Sequence, residues 1–347
     1  MNIAVFACSN GLGHTRRVIA IASFMFKKGF NGNLTAYLPI SHLNRMKKWN
    51  ECKYIINHPK INIIDFCYPI DPNQKTKSLF EKNWDEIKIP PLDKYDIVWS
   101  DNITQIVAKR NDTILTGSFL WYDIFSRNQN SSNYSDFIKE QREVIHSVKP
   151  IMVANEYFAT PEVRYFTKFQ PVGLYRYDIS FKEKKRSDLL YSCGLGGEEE
   201  EIARQYLRKI ISKYQNPKFK LFVEPRLLPS SYPSWVKKAD FSTEMFNKCT
   251  AAIIRPGLGT ISDVLANRGR VFLYHSNNMY EMKYNATVIE QMGLGETFLN
   301  PYECFINAVQ YINDEKMIDK QIFLTSHLRM DGIFATAEII TGNRKII

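Results

Sequence analysis

The sequence is short of the features that assign a chain to a class at sight. No uninterrupted apolar stretch approaches the ~20 residues needed to cross a bilayer. The opening MNIAVFACSNGLGH has no basic leader region and no cleavage site, so the expected location is the cytoplasm. The six cysteines, Cys8, Cys52, Cys67, Cys193, Cys249 and Cys304, include no CxxC pair. They read as buried thiols in a reducing compartment, not as a disulfide frame or a zinc site. HExxH, GxSxG and the GxxxxGK phosphate loop with its Ser or Thr are absent, which removes three common enzyme classes. No Asp-x-Asp occurs either, so the metal-dependent way of holding a diphosphate has no obvious ligands. No metal or other cofactor is expected.

What is present reads as an ordinary globular chain. It has 347 residues, 44% hydrophobic and 24% charged, a length that suggests about two domains. The 46 basic and 36 acidic residues give a net charge of +10. Of these, 22 basic and 16 acidic residues fall in 1–175, so the excess is spread over both halves. Such a charge suits anionic substrates or an acidic membrane surface, while its dispersal and the lack of a recognition motif speak against nucleic acid.

The runs IAVFA (3–7), LTAYL (34–38), INIIDF (61–66), DIVWS (96–100), TILTG (113–117) and PIMVA (150–154) show little polar alternation. Strands buried on both faces of a parallel sheet read this way. A helical RRVIAIASFMF follows the first of them. After a linker at 172–187 a second series begins with DLLYSCG (188–194) and the helical EEEEIARQYLRKIISKY. It continues through FKLFVE (219–224), AAIIR (251–255) and VFLYH (271–275). Strands alternating with helices twice over predict two doubly wound α/β domains, 1–172 and 173–325. The tail 326–342 predicts one closing helix with Ser326 as its cap.

The richest segment is 253–296. A strand ends at Arg255, Pro256-Gly257-Leu258-Gly259 makes a tight turn, and Thr260 opens a helix containing Asp263. Glycines let backbone approach a ligand, and exposed amides at a helix start attract an anion such as a diphosphate. Asp263, one turn inside, could accept hydrogen bonds from ribose hydroxyls, and Arg255 could add charge beside phosphates. A second helix starts near Tyr280-Glu281 and contains Asn285. A glycine turn with a capping threonine and solvated acids would have the same composition.

Two more glycine loops follow first strands. Ser192-Cys193-Gly194-Leu195-Gly196-Gly197 opens the C-terminal half, and Ser9-Asn10-Gly11-Leu12-Gly13-His14-Thr15-Arg16-Arg17 opens the N-terminal half. The latter sits at the carboxyl end of its strand, where doubly wound sheets bind ligands. It fails as a dinucleotide fingerprint, because GxGxxG would need glycine where Arg16 stands. Of the six histidines (His14, His42, His58, His146, His275, His327), only His14 lies in a glycine loop at the start of a first helix. A capping or packing role is its plain alternative. Asp101 and Glu156 follow strands at the same carboxyl edge, and His275 ends a strand near the 256–259 turn.

Arg-Pro-Gly-x-Gly-Thr, an acid three residues on, then an acid and an Asn after the next strand resemble the donor site of GT-B glycosyltransferases. The GxGHxxR pattern some 240 residues earlier is shared with the same enzymes. The likeness is to the family of the enzyme that adds N-acetylglucosamine to the lipid-linked peptidoglycan precursor (family 28-like). A related group of bacterial glycosyltransferases matches better at the RPGxGT and GxGHxxR segments. The resemblance covers nearly the whole chain, strongest at 3–17 and 251–295 and weakest at 120–185.

The resemblance implies an α/β GT-B fold, with two doubly wound Rossmann-like domains facing a central cleft. The acceptor would lie on the N-terminal domain and the nucleotide sugar on the C-terminal one. Arg329-Met330-Asp331-Gly332 resembles the tail that crosses back in that fold, so the segment 326–347 is expected on the N-terminal domain. Gly257, Gly259 and Thr260 would hold the donor diphosphate, with Arg255 beside it, and Asp263 the ribose. Glu281 would contact hydroxyls of the transferred sugar, His275 would lie beside it, and Asn285 would belong to the donor site. Gly194 and Gly196 would face the diphosphate, and Phe241 and Ser242 would hold the uracil ring by backbone atoms. Met282 stands where many relatives have Gln, which removes an amide contact to the sugar. Asn10, Gly11, Gly13 and Arg17 would form an acceptor-side loop, with His14 as the base and Asp101 orienting or charging it.

The implied function is transfer of a sugar from a nucleotide donor, a UDP sugar, to a hydroxyl of a glycan, a lipid-linked molecule or a small molecule. It would be metal-independent and inverting. Two rivals share the features: a nucleotide-sugar 2-epimerase and a non-catalytic nucleotide-sugar binding protein. The segment HLNRMKKWNECKY (42–54) combines Arg45, Lys47, Lys48 and Lys53 with Leu43, Met46 and Trp49. It suits peripheral contact with an anionic bilayer, or a solvated helix over the core.

Overall fold

The apolar runs become strands of two parallel sheets, all of them central except the run at 61–66, which forms a largely exposed edge strand and not one buried on both faces. The computed structural model describes residues 1–66, 89–127, 134–176, 186–194, 198–275 and 279–342. The chain divides into two units, Met1–Tyr175 with a return from Asp331 onward, and Arg176–Met330. Residues 177–185 of the expected linker lie outside the described residues.

The first unit holds β1 (Asn2–Ala7), β2 (Asn33–Leu38), β3 (Ile61–Asp65), β4 (Ile97–Asp101), β5 (Ile114–Thr116), β6 (Ile151–Asn155) and β7 (Lys168–Val172). They form one sheet in the order β3-β2-β1-β4-β5-β6-β7, every pairing parallel. Its helices are α1 (Leu12–Lys27), α2 (Ile40–Met46), α3 (Asn50–Asn57), α4 (Gln105–Lys109), α5 (Trp121–Ser126), α6 (Ser135–Val148) and α7 (Pro161–Phe166). The central strand β1 is buried from Ile3 to Ala7, which is why its sequence shows no polar alternation. On α1, Val18, Ile19, Ala22, Met25 and Phe26 recur at helical spacing and are buried. The strand order reverses at β1, between β2 and β4. That is the switch point at whose carboxyl end ligands bind in such sheets.

The second unit holds β8 (Asp188–Ser192), β9 (Leu221–Val223), β10 (Val236–Lys238), β11 (Cys249–Ile254), β12 (Arg270–Tyr274) and β13 (Gly295–Phe298). Their order is β10-β9-β8-β11-β12-β13, again all parallel, with the switch between β8 and β11. Its helices are α8 (Glu198–Lys213), α9 (Thr243–Lys248), α10 (Leu258–Ala266), α11 (Tyr280–Gln291), α12 (Pro301–Tyr311) and α13 (Glu315–Ser326). One core cluster joins strand residues such as Tyr191 and Phe272 to Leu207 of α8 and Phe305 of α12.

Three strands escaped the sequence reading, and all three are edge strands. β7 carries Pro171 and is largely exposed, and β10 and β13 are short, so none shows a continuous apolar run. The closing helix also differs from expectation. Ser326 ends α13 instead of capping a helix, and a new helix, α14 (Gly332–Thr341), begins six residues later. The break follows from a close backbone contact. Asp331 Oδ1 accepts the Gly173 N–H at 2.8 Å, and the Gly332 N–H donates to Leu174 O at 3.1 Å. A Cβ on Gly332 would stand 2.5 Å from Gly173 O, so only glycine fits there. Phe334 of α14 then meets Phe24 of α1 edge to face.

The segment 42–54 is not one amphipathic helix. It is split between α2 and α3, and Leu43 and Met46 are buried. Trp49 lies under the Arg16 guanidinium at 4.9 Å. Leu43 and Met46 therefore face the protein, and Trp49 is half-buried. No helix among the described residues is long and apolar enough to cross a membrane. The five described cysteines are buried free thiols, and Cys67 lies outside the described residues.

Candidate active site

At the first switch point, β1 and β4 end together, with Ala7 in register with Asp101. Gly11 turns the chain at φ 97° into α1. Because α1 already begins at Leu12, Gly13, His14 and Arg17 are helical, and only Asn10 and Gly11 of the expected loop precede the helix. His14 and Arg17 are three apart, hence on one helix face, and that face meets Asp101. His14 Nδ1 is 2.8 Å from Asp101 Oδ1. Arg17 Nε donates to Oδ2 at 2.6 Å and its Nη2 to Oδ1 at 2.8 Å. Thr116 at the end of β5 donates its hydroxyl to Oδ2 at 2.7 Å, and Trp99 Nε1 donates to the Thr116 oxygen at 2.9 Å.

Asp101 is 0% exposed and His14 11%. Burial works against ionisation of the Asp101 carboxyl. The charge of Arg17 and the hydrogen bonds from His14 and Arg17 outweigh it and hold the pKa below the usual carboxylate value. An ionised carboxylate only accepts, so His14 Nδ1–H is the donor in this contact. Phe119 and Trp121 place their rings 6.5 and 6.4 Å from the imidazole. The sequence reading paired His14 with Asp101 but put Arg17 on the acceptor and missed Thr116. The HxxR spacing was the available signal for Arg17. Glu156 lies just past β6, two strands from β4, with its N–H on Val172 O at 2.8 Å.

At the second switch point, β8 and β11 end together, with Ser192 in register with Ile254. Gly257 is the N-cap of α10, which starts at Leu258, two residues before the expected Thr260. The amides of Leu258, Gly259 and Thr260 thus form the open first turn of a nine-residue helix. A Cβ at Gly257 or Gly259 would meet nothing within 4 Å, so space lies over this turn. Asn285 is buried on α11 and donates Nδ2–H to Pro256 O at 2.9 Å. It braces the turn through that amide.

Four more expected donor contacts are already engaged. Asp263 is buried and takes Arg176 Nη1 at 2.7 Å, because the packing of α10 puts it on the covered face. It therefore offers no exposed carboxylate to a ribose. Arg255 pairs with Glu199 at 3.2 Å. The Gly194 N–H and the Cys193 N–H both donate to Glu224 Oε2 at 3.1 Å, joined by the Ser192 hydroxyl at 2.7 Å. Ser242 caps α9 through its hydroxyl, its N–H donates to Asp240, and its carbonyl accepts from Phe246. Phe241 beside it has left-handed backbone, φ 55°. Glu281 stands in the first turn of α11 and His275 directly after β12, both partly exposed. Gly196 lies outside the described residues. Glu224, directly after β9, holds the β8 loop and went unnoticed in sequence. Its strand-end position was the only hint.

The sequence matches no family model and no curated protein. Solved structures are similar over nearly the whole chain. They include the calicheamicin glycosyltransferase CalG4, at 13% identity over 98% of this chain and 97% of that one, TM-score 0.65. LpCGTa in complex with UDP is 12% identical over 99% of each chain, TM-score 0.65. Arabidopsis thaliana UGT89C1 complexed with quercetin is 10% identical over 98% of each chain, TM-score 0.62. The two parallel-sheet units thus have the GT-B fold of glycosyltransferases.

Proposed function

We propose that the chain is a glycosyltransferase that moves a sugar, a hexose, from a UDP-sugar donor to an acceptor hydroxyl. The observation that carries the reading is the His14–Asp101 pair at the switch point of the first GT-B unit. In this reading His14 Nε2 takes the proton of the acceptor hydroxyl as its oxygen attacks the anomeric carbon. The bond from that carbon to the diphosphate breaks, and UDP leaves with the negative charge. Direct displacement inverts the anomeric centre. The first-turn amides of α10, at Gly259 and Thr260, hold the diphosphate without a divalent metal. Glu281 and His275 serve the sugar, and Phe241 faces the uracil.

The UDP bound in LpCGTa and the UDP-L-rhamnose in UGT89C1 support a uridine donor. Within GT-B enzymes the RPGxGT and GxGHxxR segments favour the family 28-like group. A lipid-linked acceptor on the cytoplasmic side of a membrane, a glycan and a small molecule all fit this reading.

The test offers a panel of nucleoside diphosphate sugars with and without an acceptor mixture, in the presence of chelator, and follows free nucleoside diphosphate. Release of UDP only with acceptor is expected. Donor isomerised without acceptor would instead indicate an epimerase, and tight binding without product a binding protein. Gly259→Val adds a side chain into open space, so the variant should fold and lose donor binding in calorimetry. Unchanged donor affinity would remove the diphosphate from this turn.

A further inference from the structure

The proposed reaction needs a neutral imidazole, and a buried carboxylate beside an imidazole works against that. A lone Asp101 would draw a second proton onto His14, since the imidazolium is the nearest available counter-charge. An imidazolium cannot take a proton from an acceptor. The arrangement around Asp101 removes the difficulty. Arg17 closes a fork on both carboxylate oxygens, at 2.6 and 2.8 Å, and its guanidinium is held over the Tyr175 ring at 5.3 Å. Its Nη2 also lies 3.4 Å from His14 Nδ1, so an imidazolium would face the guanidinium charge directly. We infer that Arg17 is a positioning residue that keeps His14 a neutral base, supplying Asp101 with the positive partner that His14 would otherwise become.

Among the described residues, the other groups named at the pair do not offer that charge, and Asp331, which acts on Tyr175 from the start of α14, is itself an acid. On α2, His42 bonds the Thr15 hydroxyl at 2.8 Å, and burial, then the charge of Arg45, push its pKa down. Burial pushes the Cys8 thiol after β1 up to about 12. The Tyr175 hydroxyl is likewise raised by burial to about 12. Thr116 on β5 contributes a neutral hydroxyl. Arg17 is thus the cation in contact with the carboxylate, and its loss leaves His14 to balance it.

The test reads the His14 ring by nitrogen-15 NMR at pH 7 in wild type, Arg17→Gln, Arg17→Lys and the double variant Arg17→Gln/Asp101→Asn. A neutral ring with the proton on Nδ1 is expected in wild type. Arg17→Gln should carry protons on both ring nitrogens, while Arg17→Lys and the double variant return the ring to neutral. In kinetics the acid limb of the Arg17→Gln kcat profile should move up by about one pH unit with donor KM unchanged. Should Arg17→Gln not fold, the lysine and double variants carry the test, and a doubly protonated ring in either overturns the inference. The same ring state in wild type and Arg17→Gln also overturns it. The inference takes its activity readout from the glycosyltransferase reading, but the NMR does not depend on it. A chain that transfers no sugar yet shows the expected ring states would refute the function and leave the role of Arg17 standing.

Discussion

Each unit holds an arginine–aspartate pair with a buried carboxylate, and the two pairs sit in different places. Asp101 closes a strand at the carboxyl edge of its sheet, with Arg17 on both oxygens and His14 sharing one of them. Asp263 sits on the covered face of α10, and its Arg176 partner reaches on to the Thr243 hydroxyl of α9. The first pair stands at the sheet edge where doubly wound sheets bind ligands, and it touches the His14 imidazole. The second ties two helices of one unit together. The two pairs thus differ in position relative to the sheet's carboxyl edge and not in the chemistry of the pair. The helix starts differ in the complementary sense: α1 presents charged side chains, whereas α10 presents glycine amides under open space.

Substitution can break this comparison at either end. The largest effect is expected from His14→Ala, which should lower kcat by ~10²–10⁴-fold while donor affinity stays near that of wild type. Steady-state kinetics with donor calorimetry on the same preparation separate the two. Full turnover in this variant would shift the base to Asp101 or Glu156. Next, Arg176→Met leaves the Asp263 carboxylate buried without its cation and should destabilise the protein by roughly 3–5 kcal/mol. Denaturant melts followed by a signal from the second unit give the number, and a loss below about 1 kcal/mol would deny the pair its cohesive role.

The smallest effect sharpens the electrostatics of the first pair. A folded-state pKa held below the ordinary 3.8 means that Asp101 contributes stability above that value. The contribution is lost as pH falls through the lowered pKa. Asp101→Asn should therefore be less stable than wild type at neutral pH, and the gap should narrow as pH falls below 3.8. A gap that widens on acidification would mean that Arg17 does not overcome the burial of the carboxyl.

Much of this molecule is legible along the chain, because burial writes locally. Strands covered on both faces must be continuously apolar, so the central strands of both sheets stand out, whereas β7, with Pro171 at an exposed edge, does not. The His14 and Arg17 spacing places both on one face of α1 before any partner is known. The glycine turn before α10 likewise announces an open helix start.

Which charges meet is another matter. Asp101 reaches His14 and Arg17 across more than 80 residues only because β4 lies beside β1. Asp263 and Asn285 look like ligand contacts in the sequence, yet one pairs with Arg176 and the other braces Pro256, because the packing of distant segments decides which side of each helix is covered. Glu224 closes on the Ser192–Gly194 loop because β9 ends next to β8. The sequence alone determined the two doubly wound sheets and where their loops would lie. Only the tertiary structure decided the partners of the buried charges, because strand order and helix rotation are set by contacts between distant segments and leave no periodic trace in any one of them.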